Sequence, residues 1–345
     1  MSIAVAGGAT ILITLNGRPI DSLLQASLTA SNCFSADSFS LTFAVGACAV
    51  EDLDFWAAIS TAYVEVSAAT DEGLMAQVLI TGMVDTTHID PIQRTVVVEG
   101  RDLSSSMIDS YRQQEFINQT ASEVVSTIAQ SHGLSVQVVA TSDNVGRYYG
   151  DGYTRLSLGQ FSRLRSDWDL VVQLARENRF DVFVSGTTLF FQPPTTAANA
   201  PVLIAASDVR RIRVERTLSI APSASARVQS WNSHSMAAYD SNSADDVASP
   251  TRNLSQIGNP AFLFPASNFT LTQVTNSANR YTAELNHLAE ALYLEMPWDF
   301  SLGPRQTILL CGTDSRLDKI YQIDNIERHY SSKSGSTQSI RAVAI

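Results

Sequence analysis

Clustered carboxylates are the residues of this chain that come nearest to a catalytic arrangement. Glu51, Asp52 and Asp54 lie within four residues, and Asp245 and Asp246 are adjacent. Two carboxylates held across a cleft hydrolyse glycosidic bonds, one as the general acid and the other as the nucleophile or base. Acids in such short runs are typical of solvated turns, so the spacing alone does not predict a glycosidase. A cell-wall polymer hydrolase whose acids come together from distant parts of the chain stays an alternative.

The usual motifs of nucleophilic, nucleotide and metal chemistry are absent from the sequence. It contains no GxSxG, Walker A, GxGxxG, EF-hand, HExxH or CxxC pattern. The cysteines Cys33, Cys48 and Cys311 are odd in number and widely spaced, and the five histidines are scattered singly. We therefore expect no cofactor, no catalytic residues and no enzymatic activity, while a metal site assembled from spatial neighbours stays open.

A short basic strip is the most concentrated charge in the second half of the chain. Arg210, Arg211, Arg213 and Arg216 fall within seven residues of a predicted strand. Alternation along a strand places Arg211 and Arg213 on one face and Arg210 and Arg216 on the other. Two interpretations follow: a subunit interface that meets an acidic partner, such as the N-terminal part of a neighbouring copy, or an edge strand protected by charge.

Charge is distributed unevenly along the chain, whose formal net charge is −11. Residues 1–100 hold eleven acids against Arg18 and Arg94, which gives −9. Residues 101–200 carry −2, and residues 201–345 balance thirteen acids against thirteen basic residues. An acidic first part argues against a phosphate-binding surface there, so sequence-specific nucleic-acid binding is disfavoured. Solubility is sufficient to explain the excess of acid.

Length and composition indicate a folded protein made in a cytosol. The 345 residues suffice for two or three domains, and 45% hydrophobic residues exclude a mostly disordered chain. No stretch approaches the roughly 18 to 20 apolar residues that span a bilayer. The first five residues lack the basic region of a signal peptide, so neither export nor membrane insertion is expected.

The elements that would position these residues begin with a β-rich segment. Residues 10–15 and 39–45 have the apolar content of strands, and Asn16-Gly17 is a strong tight-turn signal. Six or so short strands over residues 1–100, with one helical turn near 52–59, indicate a small barrel or sandwich.

The middle segment adds two helices with recognisable starts. Thr120 with Glu123 and Ser166 with Asp169 match the capping box, and apolar stripes follow both. A hairpin over 180–191 follows the second helix. A loop is predicted at 146–152, and three tyrosines cluster in it or just after it: Tyr148, Tyr149 and Tyr153. If they bind carbohydrate, the chain is a glycan-binding tail or adhesion protein; the other interpretation is a surface loop at a subunit contact.

The last segment returns to strands around one long interruption. Residues 209–218 and 226–231 are predicted to be extended, and 237–266 to form a polar loop. An apolar pattern over 273–296 predicts a helix that ends at Pro297. Three closing strands are predicted at 306–311, 320–329 and 338–345.

An internal echo links the first and last segments. The hairpins at 80–100 and 320–345 each have a Val-Asp or Ile-Asp step, a later histidine, a polar turn and a β-rich return strand. Either two similar β domains or chance likeness between amphipathic hairpins explains it. The first explanation predicts a mixed, β-rich α+β fold with two similar small β-barrel domains and an inserted α/β domain. The expected parts are a first barrel at 1–104, the α/β insert at 105–200, a second barrel at 201–235 and 301–345, and an insertion with a loop and long helix at 236–300.

Three motifs in this order resemble the baseplate hub family of contractile phage tails. They are Gly100-Arg101-Asp102-Leu103 at the end of the first β segment, Phe116–Thr120 opening a capped helix, and Ser166–Asn178 with its hairpin. The family includes late-control D proteins and the hub part of type VI secretion spikes. The likeness in order covers nearly the whole chain, although residues 237–300 match in outline only.

The resemblance implies a structural role. It implies a homotrimer in which each chain gives two barrels to a pseudo-sixfold tube ring, which joins a sixfold tail tube to a threefold central spike. The implied partners are further copies, a tail tube or tube-initiator protein, the spike and other baseplate proteins, with DNA only as transient cargo of a central passage. The implied location is the tail baseplate of a virion, assembled in the host cytoplasm.

Two expectations follow from this family assignment. Acids of the first domain that face the passage would repel DNA and let it slide. The sequence carries no appended lysozyme-like or peptidase segment, so wall-cutting activity is expected in other proteins.

Overall fold

The structure is a computed structural model that describes most of the chain. The described residues are 4–6, 9–47, 51–70, 77–111, 114–149, 152–158, 166–194, 200–217, 225–232, 235–242, 261–267 and 269–345. The first part holds one short helix among strands: β1 (Ala4–Ala6), β2 (Ala9–Leu15), β3 (Arg18–Pro19), β4 (Leu23–Ser31), β5 (Ser38–Ala44), α1 (Leu53–Ala57), β6 (Tyr63–Thr70), β7 (Gln77–Asp90) and β8 (Thr95–Asp102).

The middle part mixes helices and strands, as the sequence predicts. Its elements are α2 (Ser105–Ile108), β9 (Gln114–Ile117), α3 (Ala121–Ser131), β10 (Ser135–Val138), β11 (Arg147–Tyr149), β12 (Tyr153–Leu158), α4 (Asp167–Asn178), β13 (Asp181–Ser185) and β14 (Thr188–Gln192).

The last part is again mostly β. Its elements are β15 (Val202–Ala205), β16 (Arg211–Arg216), β17 (Ser225–Asn232), β18 (Ala237–Asn242), β19 (Ala261–Ser267), α5 (Leu271–Ala289), β20 (Glu290–Met296), β21 (Thr307–Cys311), β22 (Ile320–Ser331) and β23 (Gly335–Ala344).

One 14-stranded sheet joins the first and last parts. Its main order is β1-β2-β6-β7-β8-β5-β4-β22-β23-β20-β16, with β3 on β2, β21 on β22 and β15 on β21. The β-rich α+β class is therefore confirmed. The two parts are joined where β4 pairs with β22, and the strand pairing of the described residues does not close into a barrel.

Alternation explains how the strands of this sheet bury one face. In β5, Phe39, Leu41 and Phe43 are buried, while the residues between them are half-exposed. Phe43 stacks on Trp56 of α1 at 5.1 Å between ring centroids, so the helix covers the apolar side. Burial of a side chain such as Leu41, which is 0% exposed, contributes about 2 kcal/mol to stability.

Both predicted capping boxes are present at the helices of the middle part. The Thr120 N–H donates to Glu123 at 2.8 Å, and the Ser166 N–H donates to Asp169 at 3.1 Å. Helices α3 and α4 then pack their apolar faces against the sheet β10-β14-β13, in a core that includes the fully buried Phe191. The middle part thus combines two capped helices with a small sheet.

The helix predicted over 273–296 is wrong at its C-terminal end. Helix α5 ends at Ala289, and the next seven residues form strand β20 between β16 and β23. Leu292, Leu294 and Met296 are all buried. Alternate side chains of β20 are buried and its backbone pairs with a strand on each side, and these interactions outweigh the helical spacing of apolar residues in this segment.

Strand β17 lies outside the large sheet, although the sequence groups residues 201–235 with the second β domain. It pairs with β18 and β19 in a three-stranded sheet. Val228 of this sheet packs with Val274 and Ala278 of α5. Residues on both sides of position 235 therefore share one small core.

Candidate interaction surface

Two hairpins of the large sheet carry the same irregularity. Strands β7 and β8 pair in register except at Asp85, which is the extra residue of a bulge between Val84 and Thr86. Strands β22 and β23 have the corresponding bulge at Asp324, between Ile323 and Asn325. The Val-Asp and Ile-Asp steps of the sequence are thus bulge positions, where a strand bends and re-aims one side chain.

Each bulged aspartate binds an arginine of the return strand. Arg101 Nε lies 2.6 Å from Asp85 Oδ2, and its Nη2 lies 2.7 Å from Asp109. Arg341 Nη1 pairs with Asp324 Oδ2. The two arginines are not at equivalent positions, since Arg101 lies opposite Met83, before the bulge, while Arg341 lies opposite the residue after it.

The likeness extends beyond the hairpins to two further strands each. Next to β7-β8 come β5 and β4, and next to β22-β23 come β20 and β16, all in antiparallel pairing. We call β7-β8-β5-β4 the first repeat and β22-β23-β20-β16 the second repeat. The two similar hairpins that the sequence analysis recognised are therefore parts of a larger, four-stranded repeat.

A strand-to-strand joint connects the two repeats. Strand β4 pairs antiparallel with the second half of β22, from Asn325 opposite Ser31 to Ser331 opposite Gln25. The Ser27 hydroxyl and His329 Nδ1 are 3.2 Å apart at this joint. The repeats thus form one eight-stranded surface.

The side of this surface opposite the apolar cores, here called the polar face, is rich in hydroxyl groups. Facing positions on its strands include Ser27, Thr29, Ser38, Ser40, Thr42, Thr337 and Ser339, with Glu99, Glu327 and His329 among them. Ser40 Oγ donates to Glu99 Oε1 at 3.3 Å, which confirms that opposed residues share this face. A groove of about 430 Å³ at its β16 end is lined by Arg211, Arg213, Tyr293, Glu295, Asp324 and Arg341, among others.

The structure separates the four arginines of the basic strip as alternation predicts. Arg211 and Arg213 line the groove on the polar face. Arg213 Nη2 lies 2.9 Å from Glu215, and its guanidinium lies 4.9 Å from the centre of the Tyr293 ring. Arg216 instead pairs with Glu290 at 3.4 Å, and Arg210 is exposed just before β16. Strand β16 is the last strand of the sheet order.

Comparison with known proteins assigns a family. A family model described as the Alg8 N-terminal domain matches residues 75–298. The chain belongs to the Alg8 N-terminal domain family. No curated protein matches it.

Solved structures show which proteins share the fold of this Alg8 N-terminal domain family member. The 43 kDa tail protein of prophage MuSo2 from Shewanella oneidensis is 14% identical with a TM-score of 0.68, over 97% of this chain and 98% of that one. The E. coli c3393 protein, a type VI secretion component similar to the T4 tail proteins gp27 and gp5, is 10% identical with a TM-score of 0.56, over 96% and 76%.

A third solved structure is the PdpA–VgrG complex of Francisella. A chain of that complex is 8% identical with a TM-score of 0.61, over 99% of this chain and 58% of that one. The fold is therefore that of phage tail and type VI secretion spike-associated proteins, as the resemblance in sequence order predicts in outline.

The clustered acids have local structural roles where they are described. Glu51 is 3% exposed and accepts a hydrogen bond from the Ser22 hydroxyl at 2.5 Å. Asp52 caps α1 by accepting from the Phe55 N–H at 2.8 Å. Asp245 and Asp246 lie outside the described residues, as do the side chains of Tyr148 and Tyr149.

The described residues contain neither a cluster of metal ligands nor a membrane-spanning helix. No three side chains among His, Cys, Asp and Glu come together there as a metal site. No helix in the same residues is both long and apolar enough to cross a membrane. Neither Cys33 nor Cys311 forms a disulfide bond in the described residues, and Cys48 is outside the described part.

A half-buried polar junction, which no sequence motif indicates, ties the three parts of this family member together. Arg305 donates from Nη1 to the Ser31 carbonyl at 3.3 Å and to the Asn32 carbonyl. Its guanidinium lies 3.6 Å from the centre of the Phe183 ring of the middle part. Trp168 Nε1 donates to the Phe34 carbonyl at 3.1 Å in the same region. The loop between β4 and β5 is thus held from two directions.

The carboxyl groups at this junction have raised pKa values. Burial raises the pKa of Asp37 to about 7, against the opposing effects of the Ser31 N–H and Arg305, while nearby Asp102 raises it further. Burial also raises the pKa of Asp181 to about 6, with Arg305 opposing. Arg305 of the last part therefore interacts electrostatically with Asp37 of the first part and with Asp181 of the middle part.

Proposed function

We propose that this protein is a structural baseplate hub of a contractile tail, resembling late-control D proteins. In this role it is a homotrimeric, pseudo-sixfold adaptor between a sixfold tail tube and a threefold central spike. The observation that carries the proposal is the four-stranded repeat joined into one surface through β4 and β22.

Symmetry explains why such a repeat suits an adaptor. Three chains with two similar repeats each present six similar units around one axis, while the ring as a whole stays threefold. One side can then match a sixfold tube and the other a threefold spike. In the proposed ring, each repeat and its neighbouring strands form one of the two domains that the sequence analysis expected to be small β-barrels.

The proposed partners are further copies of the chain, the tube or tube-initiator protein, the spike and other baseplate proteins. The shared fold with a prophage tail protein and with a chain of the PdpA–VgrG complex supports this choice. The proposed location is the tail baseplate of a virion, assembled in the host cytoplasm.

The polar face suits the wall of a central passage. It carries hydroxyl groups with acidic Glu99 and Glu327 among them. Three arginines of the same face, Arg101, Arg213 and Arg341, each pair with a carboxylate, and this pairing weakens their attraction for phosphates, so DNA would pass as transient cargo. The proposed role is structural, and the described acids Glu51 and Asp52 fit it because they cap and support local turns.

The native mass of the purified protein tests the proposal, alone and mixed with its spike. We expect a species near three times 37.4 kDa in one of the two samples, and a ring with six lobes by electron microscopy. A chain that stays monomeric in both samples at every concentration would refute the hub. Assays of wall-polymer cleavage and glycan binding on the same samples then test the two alternatives.

A further inference from the structure

Two strands of the eight-stranded surface have a side without a strand partner in the described residues. Strand β16 pairs with β20 on one side only. Strand β7 pairs with β8 along its second half, but on its other side β6 covers only Gln77–Met83. The stretch Thr86–Asp90 and the outer side of β16 therefore present backbone N–H and C=O groups that are free to bind another strand.

The joint inside the chain shows what such a stretch binds. Strand β22 corresponds to β7, and β21 occupies the same place on β22 that β6 occupies on β7. The rest of that side of β22 is taken by β4. Because β4 corresponds to β16, the free stretch of β7 corresponds to a site that, in the second repeat, is filled by the counterpart of β16.

The bulges fix which residues correspond. Thr86 and Asn325 each follow the bulged aspartate, so Asp90 corresponds to His329. Across the other strands, Ser27 lies opposite Ser40 and Arg213 lies opposite Tyr293, in matching positions of the two repeats. The internal contact between His329 and Ser27 thus corresponds to a contact between Asp90 and Arg213.

We propose that β16 of one copy pairs antiparallel with Thr86–Asp90 of the next copy, in the register of the internal joint. This register places Arg213 opposite Asp90, Glu215 opposite His88 and Val214 opposite Ile89. The pairing rests on the proposed function, because it is the contact that closes a ring of copies.

The opposed side chains are complementary. Arg213 and Asp90 have opposite charge. At the neighbouring position, the imidazole of His88 donates an N–H to the carboxylate of Glu215. The side chains of Arg213, Glu215 and His88 are 61%, 53% and 65% exposed in the single chain. Arg213 there pairs with Glu215 and His88 lies 3.8 Å from Glu99, so the proposed seam exchanges these exposed pairs for contacts between copies. Opposite charges on facing strands stabilise pairing, and like charges oppose it.

The buried side of the proposed seam is complementary as well. Ile89 packs at the border of the first core and Val214 at the border of the core beneath the second repeat. Pairing of β16 with β7 brings these two partly buried side chains together and continues the apolar layer from one copy to the next. Closure head to tail is the geometry that produces rings.

Charge reversal tests the register. Arg213→Glu and Asp90→Arg alone are each expected to weaken self-association about tenfold, measured as native mass over a concentration series. The double variant is expected to recover most of that loss. Arg211→Glu is the matched control, because the position facing Arg211 falls beyond Asp90 in the turn before β8. An equal loss in the control, or no recovery in the double variant, would overturn the register.

Crosslinking separates this inference from the proposed function. Arg213→Cys with Asp90→Cys is expected to give chains linked through a short thiol crosslinker, whereas Arg213→Cys with Asp54→Cys on α1 is not. The unsubstituted protein, treated with the same crosslinker, serves as the control for links that form through the native cysteines. Normal trimers without the expected link would overturn the seam and leave the hub intact, while a protein that never self-associates would overturn both.

Discussion

Asp37 lies at the half-buried junction, and its titration should control how the stability of the protein depends on pH. Its pKa is raised from 3.8 to about 7, chiefly by burial. The folded state therefore keeps a proton that the unfolded state loses, so the folded protein is penalised as pH rises from about 4 to about 7. Three pKa units correspond to about 4 kcal/mol, and relaxation at a half-buried site reduces this toward about 2 kcal/mol.

Asp37→Asn should remove this pH dependence, because the amide side chain stays neutral at every pH. Its oxygen can still accept the Ser31 N–H, which lies 2.7 Å from the Asp37 carboxylate in the natural protein. We expect the variant to be close to the natural protein near pH 4.5 and relatively more stable at pH 8. Denaturant unfolding at a series of pH values measures the difference, and Asp143→Asn in an exposed segment is the control. Parallel curves for Asp37→Asn and the natural protein would refute the account of the junction.

Three further variants test other parts of the structure by the same unfolding measurement. Arg305→Ala should destabilise the protein by about 3 kcal/mol, since Asp37 and Asp181 lose their cation; an unchanged midpoint would contradict its bridging role. Ser166→Ala should cost about 1 kcal/mol by removing the cap that accepts the Asp169 N–H at 3.0 Å, with no effect expected from alanine at exposed Ser142. Gly100→Ala should destabilise by about 3 kcal/mol because its methyl group would meet the Met83 carbonyl, whereas Gly303→Ala meets only ordinary contacts.

Local chemistry made several elements predictable from the sequence. The capping boxes at Thr120 and Ser166 place their helices because both partners of each box are within three residues. The echo of the two hairpins is visible because the Val-Asp and Ile-Asp steps are contiguous in sequence. In both cases the decisive interactions are short in sequence.

Long-range pairing accounts for what the sequence did not indicate. The segment 290–296 has residues that fit a helix as well as a strand, and its place between β16 and β23 decides the outcome. The joint of β4 with β22 connects residues almost 300 positions apart. Arg305 reaches the Ser31 and Asn32 carbonyls across a similar separation, so no local pattern reveals the junction.

The matching bulges at Asp85 and Asp324 have a consequence for the shape of the eight-stranded surface. A bulge adds twist and bends its strand, and designed sheets use bulges at regular positions to curl. Here the two hairpins carry a bulge at corresponding positions. Each repeat therefore has a bend built into its own hairpin, so part of the curvature that a ring of copies requires is present in the single chain before any neighbouring copy binds.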